Sequence, residues 1–481
     1  MSKKIKSLSK KSLSCCMPFT GENSTRLLAS HRALSMTPAM AADLLLCLLL
    51  PPLLVIPVLL LRSRSSASRG HGGGRLPPGP GALPVIGPLH HLLGGGLPHR
   101  RMLDLARRHG PLMLLRLGEV RTVVASSAGG APEIMKTHDV AFAARPMGPL
   151  TRLWYQDAGG GVVFAPYGDG WRQLRKICTV ELLSSGRVHS FRPVREAEVG
   201  RLLRSVVAAA AAPVNLTSGI AAYVFDSTVR AIIGSRPFME RDEYLQMLRD
   251  ATTAVPGMGL PDLFPSSRLA MRVSRMPAHL EHQEFRPAGQ GAEKAEDLVD
   301  VLLRLQKEAD FQYPLTTDNI KFVLLDMFGA GSDTSATALQ WATAELMRNP
   351  RVRHKLQDEL RREFAGGGKV TEDRLRGLSY LHMVIKETLR LHPPLPLLIP
   401  HQCGGSRPCQ QVLGHDVPAG ATVVVNAWAI GRDPAAWGDA AEEFSPERLI
   451  VHLYVNGVNG DGHSKFDHYS LHKLHSKNNI N

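Results

Sequence analysis

The stretch AGSDTS, residues 330–335, sets a carboxylate and three hydroxyl side chains in the middle of an otherwise apolar run. The hydroxyls and the Asp333 carboxylate could hold water there. Gly329 and Gly331 would let another group approach the backbone, or let the chain deform. The plainer alternative is a kink in which Ser and Thr hydroxyls bond back to carbonyls of the preceding turn. Both readings stand on this segment alone. A second stretch, KETLRLHPP, puts Glu387 and Arg390 three residues apart, on one face of a helix. Such pairs are usually solvated and weak. The tetrapeptide PERL at 446–449 adds Arg448 as a third member. A buried network of the three would need every partner, since breaking a buried ion pair costs roughly 3–5 kcal/mol. Two other chemistries are excluded by spacing. HLEH at 279–282 is not His-Glu-x-x-His. The strip LPPGPGALPVIG at 76–87 lacks a following Lys-Ser/Thr, and its prolines remove the N–H donors a phosphate loop needs.

The elements that must position these residues are mostly helical. RMLDLARRHG reads as a helix closed by Gly110, followed by two short strands, LMLLRLG and RTVVAS. From about residue 170, apolar residues recur at helical spacing through WRQLRKICTVELL, REAEVGRLLRSVVAAAAA, AEDLVDVLLRLQKEA and VRHKLQDELRREFA. The segment from Thr316 to Arg348 predicts one helix of about 50 Å, capped by Thr317 or Asp318 and stopped by Asn349–Pro350. Strand signals return over 411–430, with a turn at Pro418–Gly420. The fold class is therefore mainly α with a minor β-sheet. Six cysteines show neither zinc nor thioredoxin spacing, and all six are expected as reduced, non-ligand thiols.

Taken together, LPPGP, WRQLRK, AGSDTS, KETLR and PERL stand in the order and approximate spacing of a known family. The chain resembles a plant-type microsomal cytochrome P-450, a heme-thiolate monooxygenase. The resemblance runs from an N-terminal anchor to about Ile450. It implies a cytochrome P-450 fold, incomplete at its C-terminus, with a catalytic domain over 88–450. It implies a heme cofactor, electrons from NADPH through a membrane-bound reductase, and a small apolar substrate such as a terpenoid or phenylpropanoid. Carried onto matching positions, Trp171 and Arg175 would reach a heme propionate. Asp333 and Thr334 would sit over the iron, with Ala330 and Gly331 opening the cleft beside them. Glu387, Arg390 and Arg448 would form the buried network. Leu325, Phe328, Leu395, Leu397 and Leu398 would line the substrate pocket. His401 stands where the family often carries an Arg that contacts a propionate. PERL replaces the usual PERF. Residues 275–294 are short and broken where the family has a long helix.

The charge of +14 is concentrated, with ten of the charges in residues 1–40 and at Arg62, Arg64, Arg69 and Arg75. That pattern argues against a nucleic-acid binder and suits the flanks of a membrane segment. Between them, AADLLLCLLLPPLLVIPVLLL at 41–61 is long enough to cross the roughly 30 Å hydrocarbon layer. An uncleaved anchor in the endoplasmic reticulum membrane is expected, with 62–87 as a basic linker and stiff hinge and the catalytic domain in the cytosol; a cleaved signal peptide is the alternative. Residues 1–40 are basic, Ser-rich and nearly acid-free, like a plastid transit peptide, yet Met40 could itself be a start.

The family's heme-ligand cysteine follows PERF. Here no Cys follows Cys409, and residues 451–481 form a tail rich in Asn, Gly, His, Ser and Lys. Its histidines lack the electron donation of a thiolate. Two expectations follow. One is a monooxygenase by family. The other is a catalytically inactive membrane protein or decoy, with no protein ligand for the metal.

Overall fold

The computed structural model describes residues 75–449 except 94, 150, 153–160, 210–211, 235–258, 275–295, 309, 367–369 and 405–409. All of these belong to the compact unit Gly70–Asn481. The expected extension at 1–40, the anchor at 41–61, most of the basic linker, the broken stretch at 275–294 and the tail at 451–481 lie outside the described residues. Among the described residues, no helix is long and apolar enough to cross a membrane.

The first long helix, α1, spans Pro98–His109. Proline in its first turn needs no N–H there, and Gly110 ends it at φ 108°, a conformation that costs other residues their Cβ clearance. Strands β1 (Leu112–Leu117) and β2 (Val120–Ala125) then pair antiparallel as a hairpin. Further along the chain come β3 (His401–Gln402), the small hairpin of β4 (Gln411–Val412) and β5 (His415–Asp416), and β6 (Thr422–Val425). The main sheet has the order β1-β2-β6-β3, with β2 and β6 parallel and β6 and β3 antiparallel. Alternation sends Met113, Leu115, Leu117, Val124 and Val424 to one face, where they pack on Met102 and Leu105 of α1. The opposite face carries Leu112, Val123, Val423 and Val425 into a second cluster with Ile134 and Phe142. Both faces are thus covered, which explains why these strands are nearly all apolar.

Strand structure stops at Val425, short of the expected 430. Asn426 is fully buried, and its side chain accepts a hydrogen bond from Ala429 N at 3.1 Å. That cap turns Ala427–Ile430 into a helical turn instead of more strand.

The helical body contains α2 (Asp169–Ile177), α3 (Arg192–Ala208), α4 (Leu216–Ile233), α5 (Leu298–Glu308), α6 (Thr317–Arg348), α7 (Pro350–Glu363) and α8 (Ser379–Leu391). Its core joins Leu174 and Ile177 of α2, Phe225 and Ile232 of α4, Val301 and Leu302 of α5, and Val323, Leu324 and Phe328 of α6. Helix α6 has 32 residues. Its cap is Thr316, one residue earlier than expected, because Thr316 and Asn319 form a reciprocal capping box. Asn349 breaks the helix and α7 begins at Pro350.

The motif PERL ties two of these helices together. Glu447 accepts hydrogen bonds from Arg351 at 2.8 Å, Lys355 at 3.1 Å and the Tyr380 hydroxyl at 3.0 Å. Burial alone would raise the Glu447 carboxyl. The bonds from Arg351, its own backbone N–H, Lys355 and Tyr380 outweigh that and hold it at about 2. A depressed carboxylate contributes stability above its unfolded value and loses it as pH falls through the folded value. The contribution is therefore expected in full above about pH 4.5 and lost between there and about 2. With both cationic partners well exposed, about 1 kcal/mol is expected. Urea midpoints of the protein and of Glu447→Gln, followed from pH 7 to 3, should converge as the pH falls. Parallel curves would remove Glu447 from the acid response.

Candidate functional site

Arg145 lies within electrostatic reach of two groups from distant parts of the chain, Arg175 and His401. Arg145 follows Phe142 after the 133–137 helical turn. Its Nη1 donates to the carbonyls of Ile399 at 3.0 Å and Pro400 at 2.9 Å. Those carbonyls lead into β3, where the His401 Nδ1 meets the Phe142 carbonyl at 2.6 Å. A carbonyl only accepts, so Nδ1 carries the proton and the neutral ring has its lone pair on Nε2. Burial, with Arg175 nearby as a second cause, pushes the Arg145 guanidinium down to about 10. Burial and then the Arg145 charge push His401 down to about 4. No carboxylate pairs with Arg145 or Arg175 among the described residues. A part-buried guanidinium without a counter-ion is costly, and an acidic ligand would relieve it.

Trp171 and Arg175 sit one turn apart on α2, with the guanidinium 5.1 Å from the Trp171 ring centre. The Trp171 N–H is spent on the Val162 carbonyl at 2.9 Å. Val162 N and Val163 N in turn donate to Asp326 Oδ2 of α6, at 2.7 and 3.0 Å. Gly161, at φ +93°, enters this bend, and a Cβ there would lie 2.6 Å from the same Asp326 oxygen. The segment 161–163 is therefore pinned between α2 and α6 and fixes Trp171 and Arg175 relative to the long helix.

On α6 the AGSDTS stretch is continuous helix. The Thr334 hydroxyl donates to the Ala330 carbonyl at 2.6 Å, the back-bonding alternative considered from sequence. Ala330 and Asp333 are exposed, and Thr334 is half-buried. Gly331 lies against Thr228 of α4, 3.5 Å from where a Cβ would stand. The five apolar residues assigned to a substrate pocket are dispersed. Leu325 packs with Phe164, Phe322 and Met147. Phe328 is in the main helical core, Leu397 and Leu398 belong to opposite sheet clusters, and Leu395 is 44% exposed. A cavity of about 390 Å³ lies along the sheet, walled by Met147, Phe164, Pro400, Gln402, Thr422 and Val424. Leu325 packs in the cluster that holds Met147 and Phe164 but does not itself line this cavity.

Glu387, Arg390 and Arg448 do meet. Glu387, with no exposed side-chain surface, accepts from Arg390 Nε at 2.7 Å and Nη2 at 2.8 Å, from Arg448 Nε at 2.9 Å and from Ser445 N at 2.9 Å. Arg390 also donates to the carbonyls of Gly431, Ala441 and Glu443. The two arginines thereby hold the loop 431–448 onto α8.

A cytochrome P450 family model matches residues 77–450. The chain belongs to the cytochrome P450 family. Among its relatives, a desmethyl-deoxy-podophyllotoxin synthase of Sinopodophyllum hexandrum is 43% identical over 78% of this chain and 76% of that protein. A premnaspirodiene oxygenase of Hyoscyamus muticus is 42% identical over 78% and 77%. A zebrafish cytochrome P450 structure with progesterone is similar at a TM-score of 0.57 and 25% identity, covering 74% of this chain and 84% of that one. This P450 is thus of a plant monooxygenase type, and the family implies a heme cofactor.

The carboxylate edge of heme fits Arg145 and Arg175, which have no acidic partner among the described residues; His401, neutral as it stands, would join them only on gaining a proton. Arg145 escaped the sequence reading; its signal was a lone Arg-Pro after an apolar Phe142–Ala144, too common to single out. A thiolate is not furnished by the described residues. Cys178 lies in the helical core, where burial, aided by Asp326, pushes its thiol up to about 12. Cys403 is disulfide-bonded, which corrects the expectation of six reduced thiols. It is buried at 2%, packed into the second sheet cluster rather than left on a free loop.

Proposed function

We propose that this P450 is, by scaffold, a membrane-associated monooxygenase that places one oxygen atom of dioxygen into a small apolar plant metabolite of the terpenoid or phenylpropanoid type. Electrons would come from NADPH through a reductase, at the endoplasmic reticulum membrane. The observation that carries this reading is the acid-free edge of Arg145, Arg175 and His401, tied to α6 through Val162 and Asp326. Heme bound there supplies the activation of dioxygen. Arg145 and Arg175 would hold its carboxylates and orient it against α6. Asp333 and Thr334, exposed or half-buried on that helix, would keep water and a proton at hand once the Thr334 hydroxyl leaves the Ala330 carbonyl. The relatives' names, a podophyllotoxin-type synthase and a terpene oxygenase, support an apolar substrate class.

A second reading has its own observation. Among the described residues, Cys178 is locked in the core and Cys403 is disulfide-bonded. These residues would then form a porphyrin-binding scaffold without the thiolate that drives oxygen activation, inactive or a decoy. The carbon monoxide difference spectrum of the reduced protein, made in membranes with heme supplied, separates the two. A Soret band at the thiolate position is the outcome expected of the monooxygenase. A band at the imidazole position, or a featureless spectrum, supports the scaffold without catalysis.

A further inference from the structure

The position of His401 carries a consequence for cofactor capture, which rests on the heme reading above. In the structure its Nδ1 proton is committed to the Phe142 carbonyl at 2.6 Å, and Nε2 makes no hydrogen bond among the described residues. The neutral ring therefore presents a lone pair at Nε2, which a carboxylate oxygen repels. An arginine at this position would donate at every accessible pH. A histidine donates only after Nε2 gains a proton. We propose that His401 grips a porphyrin carboxylate only as the imidazolium, so that capture of the cofactor at this edge takes up one proton.

The surroundings favour this coupling. The charged group facing His401 is Arg145, on the segment bridged to β3 through Ala144 and Gln402, and Arg175 adds its charge behind Arg145. From β6, on the other side of β3, only Thr422 and Val423 pair with it, and they bring no charge. Burial, and Arg145 as the one charged group acting on it among the described residues, keep His401 neutral at physiological pH in the free protein. A dicarboxylate placed between Arg145, Arg175 and His401 reverses the local field and pulls the ring toward its charged form. The linkage has a definite sign: a ligand that raises a pKa binds more tightly as pH falls toward the new value.

Zinc protoporphyrin, which needs no thiolate and reports binding by its fluorescence, tests this on the full chain. Affinity is expected to be about tenfold higher at pH 6 than at pH 8, and calorimetry in buffers of different ionisation enthalpy should show net proton uptake. His401→Arg should bind with less than a twofold pH dependence and no uptake. The zinc porphyrin dimethyl ester, lacking the carboxylates, should likewise show no pH dependence. Equal affinity of the unchanged protein at both pH values, without uptake, overturns the proposal while leaving the heme reading intact. A failure to bind the porphyrin at any pH overturns the heme reading, and this proposal with it.

Discussion

Glu387→Ala is expected to cost about 3–5 kcal/mol, a large part of the stability of a domain this size. Glu387 is fully buried and neutralises Arg390, whose side chain is only 4% exposed, together with Arg448. Removing the carboxylate strands Arg390 in the interior between the carbonyls of Ala441 and Glu443, which solvate it but carry no full charge. It also frees Ser445 N, and with it the loop that PERL closes. Urea unfolding followed by circular dichroism measures the loss. The variant Glu387→Met with Arg390→Met should lose clearly less than the two single changes added together, because the pair is removed along with its desolvation cost. Additive losses would mean that the two side chains act on stability separately, contrary to their bidentate bonding.

Arg145→Met should move stability and cofactor affinity in opposite directions. The guanidinium is part-buried with two backbone carbonyls and no counter-ion among the described residues, and burial holds its pKa down to about 10. Methionine fills similar volume without charge, so the cofactor-free protein is expected to gain about 1 kcal/mol, discounted for its partial exposure. On the heme reading, the same change would remove a charge-assisted hydrogen bond to a porphyrin carboxylate, and zinc protoporphyrin affinity should fall about 10–100-fold. Thermal melting of the cofactor-free chain and fluorescence titration read the two effects. A variant that loses stability and keeps its affinity would make Arg145 a structural brace for the Ile399–Pro400 carbonyls instead.

Much of the fold was legible because its signals are local. The 3.6-residue pattern of α6, its Asn349–Pro350 stop and the Gly110 end of α1 each depend on neighbours within a few residues. The exact cap of α6 was misplaced by one residue, since Thr316, Thr317 and Asp318 are all good cap residues and only the Asn319 side chain selects among them. Strand structure was overextended to 430 because Trp428 and Ile430 are good strand residues; the buried Asn426 side chain overrides that preference.

The site divides in the same way. Glu387–Arg390 is a helix-spaced pair and can be read from four residues of text, whereas the fate of Thr334 cannot. Whether its hydroxyl faces a cleft or bonds back to Ala330 is a choice of one rotamer, made by packing. The apolar residues Leu325, Phe328, Leu397 and Leu398 look alike in sequence, yet they go to four different clusters because burial does not specify which neighbour is buried against.

By itself the sequence determined the family, the helical class, the long helix and the Glu387–Arg390 pair, because these rest on residue type, short spacing and motif order; Arg448, 61 residues from Glu387, came only with the resemblance. Only the tertiary structure decided the parallel pairing of β2 with β6, some 300 residues apart in the chain. Only it brought Arg145 to the carbonyls that precede His401 and turned His401 Nδ1 onto Phe142. Hydrophobic burial chooses that arrangement by closing long loops at a cost that grows only slowly with their length, so chain distance gives little warning of which charges will face each other.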